Sequence, residues 1–224
     1  MSIVVCICNS MLGAIPSRDS GVVHQFITRP LSESIPTMAE AAHPWPEYIH
    51  QSFNSVKMQD LRGREESVYF GPFTRLLYTL FSLDGPYEIM PQIKSEVSWN
   101  SENNPGLVVV VNKRPVFFME IKPPAFLAYD SRREEADELM RCRFRDLRQV
   151  SAIPTLHGIS AFGTQLSFYE YDSTTSTLQP ERIPQPSLSV EPSVAPITRW
   201  DCDVLKPEGA NRLRDVVKKI KEMV

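Results

Sequence analysis

The chain has 224 residues, 42% of them apolar and 23% charged, proportions close to the globular average that exclude wholesale disorder and a chain embedded in a bilayer. Its length suits one well-buried core with extensions, because two domains of half this size would each be marginal. A net charge of −3 gives no global basic field, so contact with nucleic acid has to come from a local patch.

The four cysteines, Cys6, Cys8, Cys142 and Cys202, are too few and too scattered for a disulfide framework and point to a reducing, intracellular setting, cytoplasmic or nuclear. Cys6-x-Cys8 has no second pair at zinc-site spacing and reads as two small residues in a strand. Ile3 to Ile15 is apolar, but no Lys or Arg precedes it and Asn9 and Ser10 interrupt it, so a secretory signal is not expected. No run reaches the roughly 20 apolar residues that cross a bilayer, and no membrane partner is expected.

Residues 16 to 46 mix Ser, Pro and small side chains with isolated hydrophobes and show neither the helical nor the strand period. In Pro44-Trp45-Pro46-Glu47-Tyr48-Ile49 two aromatics follow prolines, a pattern that docks on a core surface or serves as a peptide ligand. Residues 1 to 64 are therefore read as an irregular N-terminal arm.

Phe73, Leu76, Leu77, Leu80 and Phe81 recur at helical spacing, and Asp84-Gly85-Pro86 stops the helix. Tyr87 to Lys94, Leu107 to Asn112 and Val116 to Ile121 are rich in β-branched and aromatic residues and predict three consecutive strands. The short polar connection 112 to 115 joins the second and third as a hairpin. Both lack alternation, as strands covered on two faces do.

Ser131, with Glu134 three residues on, predicts the capped start of a helix from Arg132 to about Val150. Its buried stripe is Ala136, Leu139, Met140, Leu147 and Val150, with Arg143 or Phe144 in the middle turn. Leu156 to Thr164 and Gln165 to Tyr171 predict two further strands joined near Gly163, the second alternating as an outer strand does. Residues 173 to 198 are rich in Ser, Thr and Pro and read as a linker. Residues 199 to 224 end in a helix whose Leu213, Val216, Val217 and Ile220 pack it back on the core. The fold class expected is α/β: a mixed central sheet flanked by helices over residues 65 to 172, with irregular proline-rich extensions at both ends.

Chemistry concentrates at Glu120-Ile121-Lys122. Side chains alternate along a strand, so Glu120 and Lys122 project to one side with Ile121 opposite, and Pro123-Pro124 ends the strand and leaves the pair at the sheet edge. A carboxylate binds Mg²⁺ well, and a neighbouring lysine can orient a metal-bound water toward a phosphodiester. The competing reading is a plain ion pair, worth about 0–1 kcal/mol when exposed.

Arg141, Arg145 and Arg148 share one face of the next helix, with Arg132 and Arg133 at its start, a stripe that could contact phosphates. Interleaved Glu134, Glu135, Asp137, Glu138 and Asp146 also fit an ordinary solvated face. His157 reads as a packed strand histidine, since no paired nucleophile stands near it. Ser160 lacks the glycine spacing of a nucleophile elbow, and no glycine loop for phosphates is present, so no nucleotide cofactor is expected.

The order helix, strand, strand, strand, helix, strand, with Glu-x-Lys closing the third strand, resembles the PD-(D/E)XK nuclease superfamily, and Val108 to Pro124 carries the likeness. Tyr69 to Tyr171 also resembles a group of fungal proteins with no assigned activity, near that superfamily. The resemblance implies a restriction-endonuclease-like core and a metal-dependent phosphodiester hydrolase, or a degenerate descendant that keeps only the scaffold. It implies Mg²⁺ or Mn²⁺ as cofactor if the protein is active, Glu120 as metal ligand and Lys122 as the group that positions the attacking water.

Family members supply a second ligand as Asp after Pro at the start of the preceding strand, where this chain has Pro105-Gly106. Glu88, Glu96 or Glu102 would then have to complete the coordination, with Glu88 preferred. The alternative class is a noncatalytic module that binds nucleic acid or protein on the same sheet, with the proline-rich extensions recruiting a protein partner.

Overall fold

A computed structural model of the chain describes residues 44–91, 106–183 and 195–224. Among them run four helices, α1 (Glu47–Gln59), α2 (Phe70–Phe81), α3 (Asp130–Leu147) and α4 (Pro207–Met223). The strands are β1 (Tyr87–Pro91), β2 (Gly106–Val111), β3 (Arg114–Lys122), β4 (Thr155–Phe162), β5 (Gln165–Asp172), β6 (Thr177–Gln179) and β7 (Cys202–Asp203). They form a mixed sheet in the order β1-β2-β3-β4-β5-β6, with β7 also beside β5. Every pairing is antiparallel except β3 with β4, and α3 supplies the long crossover that a parallel neighbour needs.

The hairpin between β2 and β3 turns on Asn112 and Lys113, both with positive φ, 51° and 63°, the conformation whose twist suits a two-residue connection. All six residues of β2 are buried, and so are seven of the nine in β3, because helices cover both faces. Phe117, Met119 and Ile121 face one layer, with Phe53 of α1, Phe73, Leu76 and Leu77 of α2, and Leu213 and Val217 of α4. Phe118 faces the other, with Met140, Phe144 and Leu147 of α3.

The expected irregular arm over residues 1 to 64 is corrected by α1 at Glu47–Gln59, while residues 1 to 43 lie outside the described residues. Ile49, Phe53 and Val56 lie one turn apart and are buried at 0%, 1% and 2% exposure, each burial contributing about 1.5–3 kcal/mol. Proline does not block this helix: Pro46 sits at the N-cap, where no intrahelical N–H bond is lost. Trp45 docks just before it, its Nε1–H donating to the Val204 carbonyl at 2.6 Å while the Arg214 guanidinium lies 4.2 Å from its ring centroid.

Three further expectations change. Ser131 does not cap α3, which begins one residue earlier with Tyr129 at the N-cap and no side-chain cap bond. Val150 lies beyond the helix and is 53% exposed. The linker over residues 173 to 198 contains β6, and Ile183 and Ala195 are buried beside α3. Composition missed this because the segment is held mainly by backbone and charge.

The charge in question is Asp137, 1% exposed on α3. Its carboxylate accepts from Arg141 Nε at 2.9 Å, Arg199 Nη1 at 2.7 Å, the Tyr169 hydroxyl at 3.0 Å and the Ile183 amide at 3.0 Å. One buried acid thus ties α3 to β5 and to both described ends of that segment. The expectations for Cys6, Cys8 and 92–94 fall outside the described residues.

Candidate functional site

Glu120 sits near the end of β3 with Gly106 of β2 and Ser160 of β4 as its strand partners. Two of the smallest side chains flank it, and the space over them is filled from α3. Arg143 Nε donates to Glu120 Oε1 at 2.6 Å, an ion pair whose side chains are 16% and 4% exposed. The second oxygen, Oε2, is buried without a hydrogen-bond partner.

Gly106 is fitted to this arrangement. A Cβ at that position would lie 3.2 Å from Glu120 Oε1 and 3.1 Å from the Met119 carbonyl, so even alanine would crowd the pair. Lys122, two residues on, is half-buried, and Ile121 faces the opposite core, as alternation requires.

Glu66, half-buried just ahead of α2, joins the same electrostatic cluster. Burial pushes the Glu120 carboxyl up; the Arg143 charge and hydrogen bond, and then Lys122, pull it back, while Glu66 adds to the rise. Burial likewise raises Glu66, against the pull of Lys122. Lys122 thus acts on both acids, while Arg143 holds Glu120.

The other candidate ligands are placed elsewhere. Glu88 is exposed on β1 opposite Val110, four positions along β2 from Gly106, or roughly 13 Å at the strand rise. Glu96 and Glu102 lie outside the described residues. The residues present do not fit a hard divalent cation: the one deeply placed carboxylate already holds a guanidinium, and among the described residues no group of three His, Cys, Asp or Glu side chains could hold a metal.

Nor does the arginine stripe form an open phosphate surface. Arg141 is spent on Asp137 and the Pro180 carbonyl, and Arg148 lies over the Tyr171 ring and donates to its hydroxyl at 3.3 Å. Arg132 pairs with Glu135 at 2.7 Å. Arg145 is exposed and lies 3.6 Å from Asp146. Arg133 is buried, donating to the Ala195 carbonyl at 2.8 Å and pairing with Asp130. Sequence reasoning missed Arg143 and Glu66: one is a single arginine on a charged helix, the other a loop acid, and neither has a local pattern that aims it at Glu120.

A concavity of about 680 Å³ lies between β4, β5 and α4, away from Glu120. His157, which lines it, has Nδ1 3.5 Å from Glu170 Oε2. Burial, with Lys219 assisting, holds the imidazole below its ordinary range despite Glu170, so it is neutral at pH 7. The unfolded histidine titrates near 6.5 and takes up a proton that the native one refuses. Stability is thus fully present above about pH 6.5 and is lost as pH falls toward the lower native value. Urea unfolding from pH 8 to 5 should show that loss, and His157→Leu should flatten the part of the slope just below pH 6.5; an unchanged slope would remove the assignment.

No helix among the described residues is long and apolar enough to cross a membrane. Comparison with protein-family models, with curated proteins and with solved structures found no match.

Proposed function

We propose that this chain is a PD-(D/E)XK-like domain that has lost its nuclease chemistry and serves as a noncatalytic binding module. The arrangement α2-β1-β2-β3-α3-β4, with β3 and β4 parallel and Glu-x-Lys closing β3, supports the kinship. A single observation supports the loss: at the strand position opposite Glu120, where the resemblance implies an aspartate, stands Gly106, packed so closely that its hydrogen faces Oε1. One carboxylate gives Mg²⁺ too few oxygen ligands.

Arg141 and Arg148 are engaged within the fold, which weakens the case for a phosphate-binding stripe on that face. The test is incubation of the full chain with single- and double-stranded DNA and RNA in Mg²⁺ or Mn²⁺, beside Glu120→Ala and Lys122→Ala. The expected result is no cleavage that depends on either residue. Cleavage by the wild type that both substitutions abolish would restore the enzyme.

A further inference from the structure

We propose that the Arg143 guanidinium fills the place a divalent cation takes in a metal-dependent nuclease, so that α3 closes the Glu120 site and keeps metal out; the inference rests on the PD-(D/E)XK-like reading above. Arg143 meets Glu120 Oε1 at 2.6 Å, while Gly106 opposite brings no acid from β2. An arriving Mg²⁺ would also meet the positive charges of Arg143 and Lys122, which already act on Glu120 and oppose a further cation. The unpartnered Oε2 is the atom a cation would turn to once the guanidinium is gone.

Titration of MnCl₂ into the full chain, without nucleic acid, reads this closure separately from cleavage. The wild type is expected to show no saturable uptake. Arg143→Gln keeps an N–H donor for Glu120 but removes the charge, and is expected to bind one Mn²⁺ at least about tenfold more tightly than the wild type through its hard oxygen ligands, an uptake abolished by adding Glu120→Gln. If Arg143→Gln is unfolded by circular dichroism, Mn²⁺ should restore its fold, because a ligand that binds only the native state stabilises it. Glu120-dependent Mn²⁺ uptake by the wild type overturns the inference, as does an Arg143→Gln chain, folded or unfolded, that is indifferent to the metal. Dependence of cleavage on Glu120, by contrast, bears on the noncatalytic reading.

Discussion

Replacing Arg143 with leucine is expected to lower the unfolding free energy by about 3–5 kcal/mol, because it leaves Glu120 charged or forced to protonate in a buried site. Glu120 is 3% exposed and its other oxygen has no hydrogen-bond partner, so the carboxylate relies on the guanidinium. The second substitution Glu120→Gln removes the charge that Arg143 answered. The double variant should therefore recover most of the loss, as it does when both members of a buried pair are neutralised together. Urea denaturation midpoints at constant slope measure both effects. A single-variant cost under about 1 kcal/mol, the range of exposed pairs, or a double variant no better than the single, would show that the contact is peripheral.

Asp137→Ala should be at least as damaging, again about 3–5 kcal/mol by the cost of stranding buried charge. Two guanidiniums, Arg141 and Arg199, each 14% exposed, lose their shared counter-ion, and the Tyr169 hydroxyl and Ile183 amide lose their acceptor. The same carboxylate pushes the Tyr169 phenol up after burial has already done so; removing it should bring tyrosine titration down in a spectrophotometric scan. The damage should concentrate where Asp137 acts as the tie. Amide exchange in β6 and around Ile183 should quicken well before that in β2 and β3. A variant with the wild-type denaturation midpoint would show that backbone pairing alone holds the segment.

The centre of the fold was legible because its signals are local and repeated. Val108 to Val111 and Val116 to Met119 are unbroken apolar runs, and the structure covers both faces of β2 and β3. Phe73, Leu76, Leu77, Leu80 and Phe81 gave the helical period of α2, with all but the partly buried Leu80 in the core. By contrast α1 carries its core contacts on only Ile49, Phe53 and Val56, within an otherwise polar stretch next to two prolines, and the prolines outweighed the period. The strand Val116 to Ile121 also gave Glu120 and Lys122 on one face, since alternation follows from pleating alone.

The rest of the site was hidden because it depends on partners remote in sequence. Asp137 looks like a member of a solvated, mixed-charge helix face, and Arg143 competes with Phe144 for the middle turn of the buried stripe with no partner indicated, yet Asp137 meets Arg199 across 62 residues and Arg143 meets Glu120 across 23. Burying them breaks the rule that charged helix positions face water, and only the tertiary pairing makes that burial affordable. The close approach of Gly106 to Oε1 could be known only from the register of β2 against β3.

The most direct measurement is a crystal structure of the wild-type chain grown in MnCl₂, with anomalous scattering collected at the manganese edge. The predicted map has Arg143 Nε within hydrogen-bond reach of Glu120 Oε1 and no manganese peak beside it. A manganese ion held by Glu120, with the Arg143 side chain swung away, would contradict the claim that this site is closed by its own guanidinium.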